Sequence, residues 1–407
     1  MASRRQMTVA VIFGGRSVEH DVSIVTAQQI MQAFDDTRYQ VVPVYISRDG
    51  KWYTGDPLRN IDNFKEDAIL DHADVHAAIL SPDVRHHGLI VNPLAGRFSK
   101  SEIIRLDLAF PAIHGSHGED GTLQGLFELA DIPYVGFATL GSALTNDKIM
   151  TKHILRQHGI AVVDEVTFHR EDWLTDADGV VKRIETQLDY PVFIKPATLG
   201  SSIGVTRADD ASLLRAGIDI AANFDRRILV ETGITDGVEI NCAVMGYGDE
   251  LQVSVLEQPL SWGDFLAFED KYLSGNEGMK SADRIIPAPI DDTLAQDIQA
   301  IARQAFTAVD GRGIVRIDFL VQPEQGTIYL NELNTMPGSL SFYLWRETGM
   351  HDRDVVDKLV DYAQRAHADK RRNMYDYQTN LVNVAAGRGI KGAKGAKSST
   401  VQSNSSN

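Results

Sequence analysis

The chain has 407 residues, enough for two or three domains with sizeable cores, and its 43% hydrophobic and 24% charged content is that of an ordinary soluble globular protein. A formal net charge of −16 excludes the broad basic surface that nucleic-acid binding requires, so any anionic ligand has to be held by local Lys, Arg and amide groups or by metal. One cysteine, Cys242, excludes an internal disulfide framework and thiolate metal clusters. Its place in the apolar run 240–244 reads as a buried structural thiol rather than a nucleophile. Met1-Ala2-Ser3-Arg4-Arg5-Gln6 leads directly into an apolar strand without the long apolar stretch of a signal peptide. Nothing downstream reaches membrane-spanning length, so a cytoplasmic protein with no membrane partner is expected.

Residues 7–13 form a continuous apolar run that predicts a strand, Gly14-Gly15-Arg16-Ser17 predicts a turn, and 22–34 carry helical spacing. A second strand is predicted over 39–46. This β-turn-α-β opening belongs to an open parallel sheet, whose ligands gather at the carboxyl ends of the strands. A further buried strand over 106–113 runs into His114-Gly115-Ser116-His117-Gly118-Glu119-Asp120-Gly121. So many small and polar residues after a strand read as a functional loop rather than a minimal connection. A helix over 122–129 and a short return strand over 132–136 follow, and the first domain is expected over 1–140.

The second unit, 141–230, begins with a helix over 143–157 and continues with a charged helix over 176–188 and a strand over 192–195. Lys195 precedes Pro196-Ala197-Thr198-Leu199-Gly200-Ser201-Ser202-Ile203-Gly204-Val205, a loop able to fold backbone amides over phosphates while the lysine supplies a point charge. Walker loops place the lysine after the glycines, so that nucleotide fold is disfavoured. Lys148, in Asn146-Asp147-Lys148, is a second candidate phosphate contact. Glu231 ends a strand over 228–231 and is either an acceptor for an adenine amine or ribose or a solvated strand-end glutamate. Strands over 240–245 and 252–256 lead to a polar stretch, 261–284, longer than an ordinary connection and read as a lid or a disordered insert.

The most informative feature is the strand Ile314-Val315-Arg316-Ile317-Asp318-Phe319 followed by Tyr329-Leu330-Asn331-Glu332-Leu333-Asn334-Thr335-Met336-Pro337-Gly338. Period-2 alternation puts Arg316 and Asp318 on one face, and Glu332 and Asn334 likewise on the next strand. The turn residues of Gln322-Pro323-Glu324-Gln325-Gly326 suit a hairpin that makes the four side chains converge. Such a group is costly to bury unless something sits between its members, and Mg²⁺ with nucleotide phosphates fits hard oxygen ligands of this kind. The alternative is a solvated hairpin face with a salt bridge, which the apolar strands and the Asn-Thr-Met-Pro-Gly run disfavour. From about residue 366 the composition changes to a basic low-complexity tail, 366–407, expected to be disordered.

Taken together these residues resemble the D-alanine–D-alanine ligases of the ATP-grasp superfamily. The resemblance covers residues 9–350 and rests on motifs in order: Phe13-Gly14-Gly15-Arg16-Ser17-Val18-Glu19-His20-Asp21-Val22-Ser23, 114–124, Asp147-Lys148, 195–205, Lys271-Tyr272, 316–318 and 332–338. It implies an α/β chain, α+β overall, with an N-terminal open parallel-sheet, Rossmann-like domain. A two-subdomain ATP-grasp fold would follow over 141–230 and 231–365, with 261–284 as its lid. The implied reaction joins two D-alanines through an acyl phosphate, with ATP and two Mg²⁺ ions, Mn²⁺ being able to replace them, for peptidoglycan precursor synthesis. Glu19 would anchor the first ammonium group, and Tyr272 would hydrogen-bond toward Ser201. His114 would line the substrate site, and Lys148 and Lys195 would contact phosphates, with Glu231 and Glu239 at adenine and ribose. Asp318, Glu332 and Asn334 would hold metal, Arg316 and the Gly338 amide would serve the oxyanion, and Ser341 with Lys271 the second substrate's carboxylate. A homodimer is the family expectation.

Three departures bear on this. The 272–287 segment is longer than the usual lid, the 338–345 segment is shorter and carries Phe342 where a smaller or flexible apolar residue is common, and the basic tail lies outside the pattern. The second substrate therefore stays open among D-alanine, D-serine, D-lactate and other small acids. Tyr272 weighs against D-lactate, because relatives that form the ester tend to replace that tyrosine. A non-catalytic ATP-binding regulator is the remote alternative, since a degenerate site would be expected to lose at least one of Arg316, Asp318, Glu332 and Asn334.

Overall fold

The computed structural model describes residues 5–65, 67–93, 101–260, 284–375, 379 and 381–388. The first sheet contains β1 (Met7–Gly14), β2 (Tyr39–Ile46), β3 (Trp52–Thr54), β4 (His76–Leu80), β5 (Gly88–Val91), β6 (Glu102–Arg105) and β7 (Leu108–Pro111), in the order β6-β5-β4-β3-β2-β1-β7. Strand β1 runs parallel to both β2 and β7. It is apolar throughout because both its faces are covered: Val9, Val11 and Phe13 enter one core and Ala10 and Ile12 another. The expected parallel sheet is thus the three strands β2-β1-β7 at one side, and β3 to β6 extend it antiparallel on the other. Connections such as 47–51 and 81–87 are too short for a parallel crossover, which takes about a dozen residues.

Two expected elements differ from the reading of the sequence. The return strand over 132–136 shrinks to one bridge, Ala109 to Tyr134. The helix expected over 143–157 is two helices, Thr139–Asn146 and Lys148–Gln157, broken at Asp147, whose backbone is extended. The Asp147 side chain accepts the Met150 N–H at 3.0 Å and pairs with Arg227, while Lys148 N–H donates to the Ala197 carbonyl at 2.9 Å. An aspartate able to cap a helix start outweighs continued helical periodicity here, and the break brings Lys148 to the start of the glycine-serine loop.

The second sheet contains β8 (Glu165–His169), β9 (Val192–Pro196), β10 (Thr206–Ala208) and β11 (Arg227–Thr232), antiparallel in the order β10-β9-β11-β8. Helices Ala177–Gln187 and Ala211–Phe224 place Val180, Ile184, Leu214 and Ile218 in its core. The third sheet contains β12 (Val238–Tyr247), β13 (Glu250–Pro259), β14 (Arg284–Ile285), β15 (Gly313–Gln322) and β16 (Thr327–Asn334), in the order β14-β13-β12-β15-β16. One face packs Ile240, Cys242, Ile317 and Phe319 against Ile298, Ala302 and Phe306 of helix Asp292–Ala308. Burial pushes the Cys242 thiol up to about 12, as befits a structural cysteine. Alternation then assigns Asn241, Arg316 and Asp318 to the other face. The β15–β16 hairpin closes with Gln325 N–H on the Gln322 carbonyl and Gly326 at φ +66°.

The described residues up to His367 form one compact unit and those from Ala368 a second. Helix Asp352–Lys370 runs past the expected boundary at 366, with Val355, Leu359 and Tyr362 buried along one side. Within the stretch expected to be disordered, Leu381–Arg388 is helical, an apolar-rich segment between the basic runs. Residues 261–283, nearly all of the expected lid, lie outside the described residues.

Replacing Asp147 by alanine removes a helix cap and leaves Arg227 without this partner, and should cost about 2 kcal/mol. Urea unfolding of Asp147→Ala beside the wild type measures it, and a change within a few tenths of a kcal/mol would reject the capping role.

Candidate active site

Glu19 opens helix His20–Ala33 beyond the carboxyl end of β1 and is buried. Its Oε1 accepts the hydroxyl of Ser201, which the second sheet contributes from the loop after β9. Ser201 and Ser202 take left-handed backbone angles, φ 53° and 59°, that turn this loop back over the first unit's helix start. Gly115, at φ +67°, faces the same carboxylate; a Cβ there would lie 2.4 Å from Glu19 Oε2, so no side chain fits.

The loop after β7 contributes two further groups. His114 is buried, and its Nε2 lies 2.9 Å from Thr26 Oγ1. Burial pushes its pKa down to about 4, against a hydrogen bond with the Met336 backbone, so the ring is neutral at pH 7. Glu119 joins the first sheet's loop to the third sheet's last strand: it accepts Gly115 N–H at 2.8 Å, Met336 N–H at 2.7 Å and the Thr335 hydroxyl at 3.3 Å. Burial, and then the neighbouring charge of Glu19, raise its carboxyl to about 7.

On the third sheet the hairpin register pairs Arg316 with Asn334 and Asp318 with Glu332. Arg316 donates to Asp318 through Nε and Nη2, both at 2.7 Å, and Asn334 Nδ2 donates to Asp318 Oδ2 at 3.0 Å. Burial disfavours the Arg316 charge, but the Asp318 carboxylate more than offsets this and holds the guanidinium well above its ordinary range. The four side chains expected to converge do so. Lys148 Nζ donates to the Leu199 carbonyl at 2.7 Å and lies 3.6 Å from Glu332 Oε2. Gly115, Glu119, Lys148, Gly200, Glu332 and Asn334 face a common cavity of about 40 Å³, large enough for an ion with its waters and too small for a nucleotide.

Glu231 is not a solvated strand end. It is 2% exposed, with Lys152 Nζ on Oε1 and Lys195 Nζ on Oε2, each at 2.5 Å. Burial by itself would raise this carboxyl, but the two ammonium groups outweigh it and hold it at about 2. Lys195 also donates to Asn331 Oδ1 at 3.2 Å, tying β9 to β16. Glu239 is half-buried on β12, opposite Leu320. Gly338 starts the turn Gly338–Ser341, in which Ser339, Leu340 and Ser341 all take φ near 50°. Three successive left-handed non-glycine residues are costly, roughly 1–2 kcal/mol each. Ser341 is fully buried, and its hydroxyl has no hydrogen-bond partner among the described residues. Phe342 is buried in the core, while Tyr343 turns its hydroxyl toward Glu257. Lys271 and Tyr272 lie outside the described residues.

Among the described residues no three His, Cys, Asp or Glu side chains group as a metal site. The candidate oxygen set is Asp318 and Glu332 with the Asn334 amide. It fits a hard divalent ion in character, because Asp318, Glu332 and Asn334 all carry hard oxygen donors on one face of the hairpin. Glu119, Lys152 and Asn331 were not singled out from the sequence. Lys152, four residues after Lys148 on one helix, and Glu119, inside the 114–121 loop, each carried a positional signal.

Residues 8–137 match the family described as D-ala D-ala ligase N-terminus, and residues 154–361 the family described as D-ala D-ala ligase C-terminus. The chain belongs to the D-alanine–D-alanine ligase family. A D-alanine–D-alanine ligase of Thermosipho africanus is 38% identical over 93% of this chain and 99% of its own length. One from Natranaerobius thermophilus is 36% identical, covering 92% of this chain and 99% of its own length. Among solved structures, the VanG D-Ala:D-Ser ligase from Enterococcus faecalis aligns with a TM-score of 0.76 at 33% identity, over 88% of this chain and all of that one. The D-alanine-D-alanine ligase from Coxiella burnetii aligns with a TM-score of 0.76 at 26% identity, over 96% of this chain and all of that one. The α/β fold, with its mixed, parallel-containing first sheet, is that of the family's ATP-grasp ligases.

His114 makes a pH-dependent contribution of definite sign. Its folded pKa lies below the free value of 6.5, so the neutral ring stabilises the fold above that pH and the contribution is lost as pH falls toward 4. Between pH 7 and pH 5 the wild type should lose roughly 2 kcal/mol more than His114→Gln, read from urea midpoints at the two pH values. Equal losses would show that His114 titrates normally.

Proposed function

We propose that this protein joins two D-alanines to D-alanyl-D-alanine at the expense of ATP, for peptidoglycan precursor synthesis. The observation that carries this reading is the meeting of Glu19 with Ser201, beside the Arg316, Asp318, Glu332 and Asn334 cluster, in a chain of this family. A carboxylate is a poor electrophile, so the γ-phosphoryl group of ATP is first transferred to the carboxylate of one D-alanine, giving an acyl phosphate and ADP. Glu19 holds that substrate's ammonium group. Lys148 and Lys195 neutralise phosphate charge, and Glu231 and Glu239 serve the nucleoside end, Glu231 chiefly by fixing the Lys195 ammonium. The amine of the second D-alanine then attacks the acyl carbon; the tetrahedral oxyanion is met by Arg316 and the Gly338 amide, and inorganic phosphate leaves. Ser341 and Lys271 bind the second carboxylate, Ser341 only after its hydroxyl turns out of the core. His114 and Tyr272 close the substrate site against water, which would hydrolyse the acyl phosphate.

Asp318, Glu332 and Asn334 would hold the Mg²⁺ ions, whose bound form supplies charge neutralisation of the transferring phosphoryl group. The three segments 1–140, 141–230 and 231–365 act as separate domains around the nucleotide. A cytoplasmic homodimer is inferred from where ATP and the substrates reside and from the family; among the described residues no helix is long and apolar enough to cross a membrane.

A second reading, D-serine as the acceptor, is favoured by the likeness to the VanG D-Ala:D-Ser ligase. Phosphate release measured with D-alanine alone and with D-alanine plus D-serine, D-lactate or L-alanine separates the readings. D-alanine alone should suffice; dependence on D-serine would select the second, and no release with any acceptor would reject both.

Glu332→Gln removes one charge from the proposed metal set and should lower kcat on the order of 10²-fold or more with the fold retained by circular dichroism. Normal turnover at saturating Mg²⁺ would remove Glu332 from the metal set.

A further inference from the structure

The polar row of the third sheet does not stop at Asp318. Strand register carries it from Glu332 through Asp318 to Asn241 and on to Glu257 at the far side, on β13. Glu257 is 2% exposed, which is costly for a carboxylate without partners. Among the described residues it has three donors. Oε1 accepts Asn241 Nδ2 at 3.2 Å and the Tyr343 hydroxyl, and Oε2 accepts Arg284 Nη1 at 3.2 Å. The Arg284 guanidinium carbon also lies 4.1 Å from the centre of the Tyr343 ring. Asn241, between Glu257 and Asp318, keeps its Oδ1 buried with no partner among the described residues.

These contacts join elements that the reaction needs in register. Tyr343 sits in helix Phe342–Glu347, directly after the strained Gly338–Ser341 turn, and Phe342 and Trp345 beside it are packed into the core. Apolar packing fixes how deep this segment lies, but a ring wedged in a core can still rotate and slide. The Tyr343 hydroxyl on Glu257 is the polar contact that sets its register against the sheet carrying Arg316. Glu257 also adds to the field that keeps Arg316 charged.

We propose that Glu257 is a positioning residue for the second half of the reaction. Its carboxylate holds Tyr343 and Arg284, and through them the Gly338–Ser341 turn, in the place where the incoming amino acid and the oxyanion are received. This rests on the ligase reading above. Glu257 touches neither nucleotide nor first substrate in that reading, so its effect should be confined to amine transfer.

The test separates the half-reactions. Transfer of label between bridge and non-bridge oxygens of ATP in the presence of D-alanine reports acyl phosphate formation alone, and dipeptide formation, with the acceptor chosen by the substrate panel, reports the whole. In Glu257→Gln the exchange rate and the KM for ATP should stay within about twofold of wild type, while dipeptide kcat falls and the KM for the second substrate rises, each about tenfold. Tyr343→Phe, which loses only a hydroxyl, should shift the same two parameters by a smaller factor and covers the case in which Glu257→Gln does not fold. Equal loss of exchange and dipeptide formation, or no change in either for Tyr343→Phe, would overturn the assignment. Absence of exchange and dipeptide in the wild type would instead overturn the ligase reading itself.

Discussion

A carboxylate cannot leave water alone, and the buried carboxylates of this protein are answered by groups from other elements. Glu19 of the first sheet is met by Ser201 of the second, and Glu119 of the first by the Met336 amide and Thr335 hydroxyl of the third. Glu231 is met by Lys152 and Lys195, and Lys195 reaches on to Asn331 of the third sheet. The Glu19 and Glu119 contacts each answer a buried carboxylate from another part of the fold, and the Glu231 pair reaches the third sheet through Lys195 and Asn331. The electrostatic requirement and the assembly of the site are therefore one constraint, because removing a partner would strand a charge as well as loosen a wall.

Conformational strain is concentrated beside the same groups. Ser201 and Ser202 on one side, and Ser339, Leu340 and Ser341 on the other, hold left-handed backbone angles that glycine would adopt more cheaply. Leu340 is fully buried, so its side chain is needed in the core and the turn keeps it in spite of the backbone cost. The fully buried Ser341 hydroxyl belongs to this turn too. Left-handed backbone and a buried hydroxyl without a partner among the described residues thus coincide in the turn proposed to receive the second substrate.

Membership of the D-alanine–D-alanine ligase family accounts for the composition as well. With a net charge of −16, the chain does not attract anions over its surface. The lysines proposed to contact phosphate, Lys148 and Lys195, are instead few and placed, each being restrained by a hydrogen bond to neighbouring backbone or side chain. Such restraint lowers the entropy lost when a nucleotide is bound.

The sequence by itself determined β1, β2 and β7 of the first sheet and β12, β13, β15 and β16 of the third, because their apolar runs are buried on one or both faces; the shorter strands β3 to β6 and β14 were not legible. It also determined the convergence of Arg316, Asp318, Glu332 and Asn334, since two strands joined by a tight turn leave few registers. Contacts between distant segments were not legible in this way. Asp147 is a possible helix cap within 143–157, but whether it breaks the helix depends also on Arg227 and the Ala197 carbonyl, which come from distant segments. Glu119 stood inside a loop already marked as functional, yet its role appears only when β16 ends beside it. Whether Glu231 faces solvent or two lysines, and whether Phe342 or Tyr343 turns to the polar face, was decided by tertiary packing. Burial there sets which groups must find partners, and the partners lie far away in the chain.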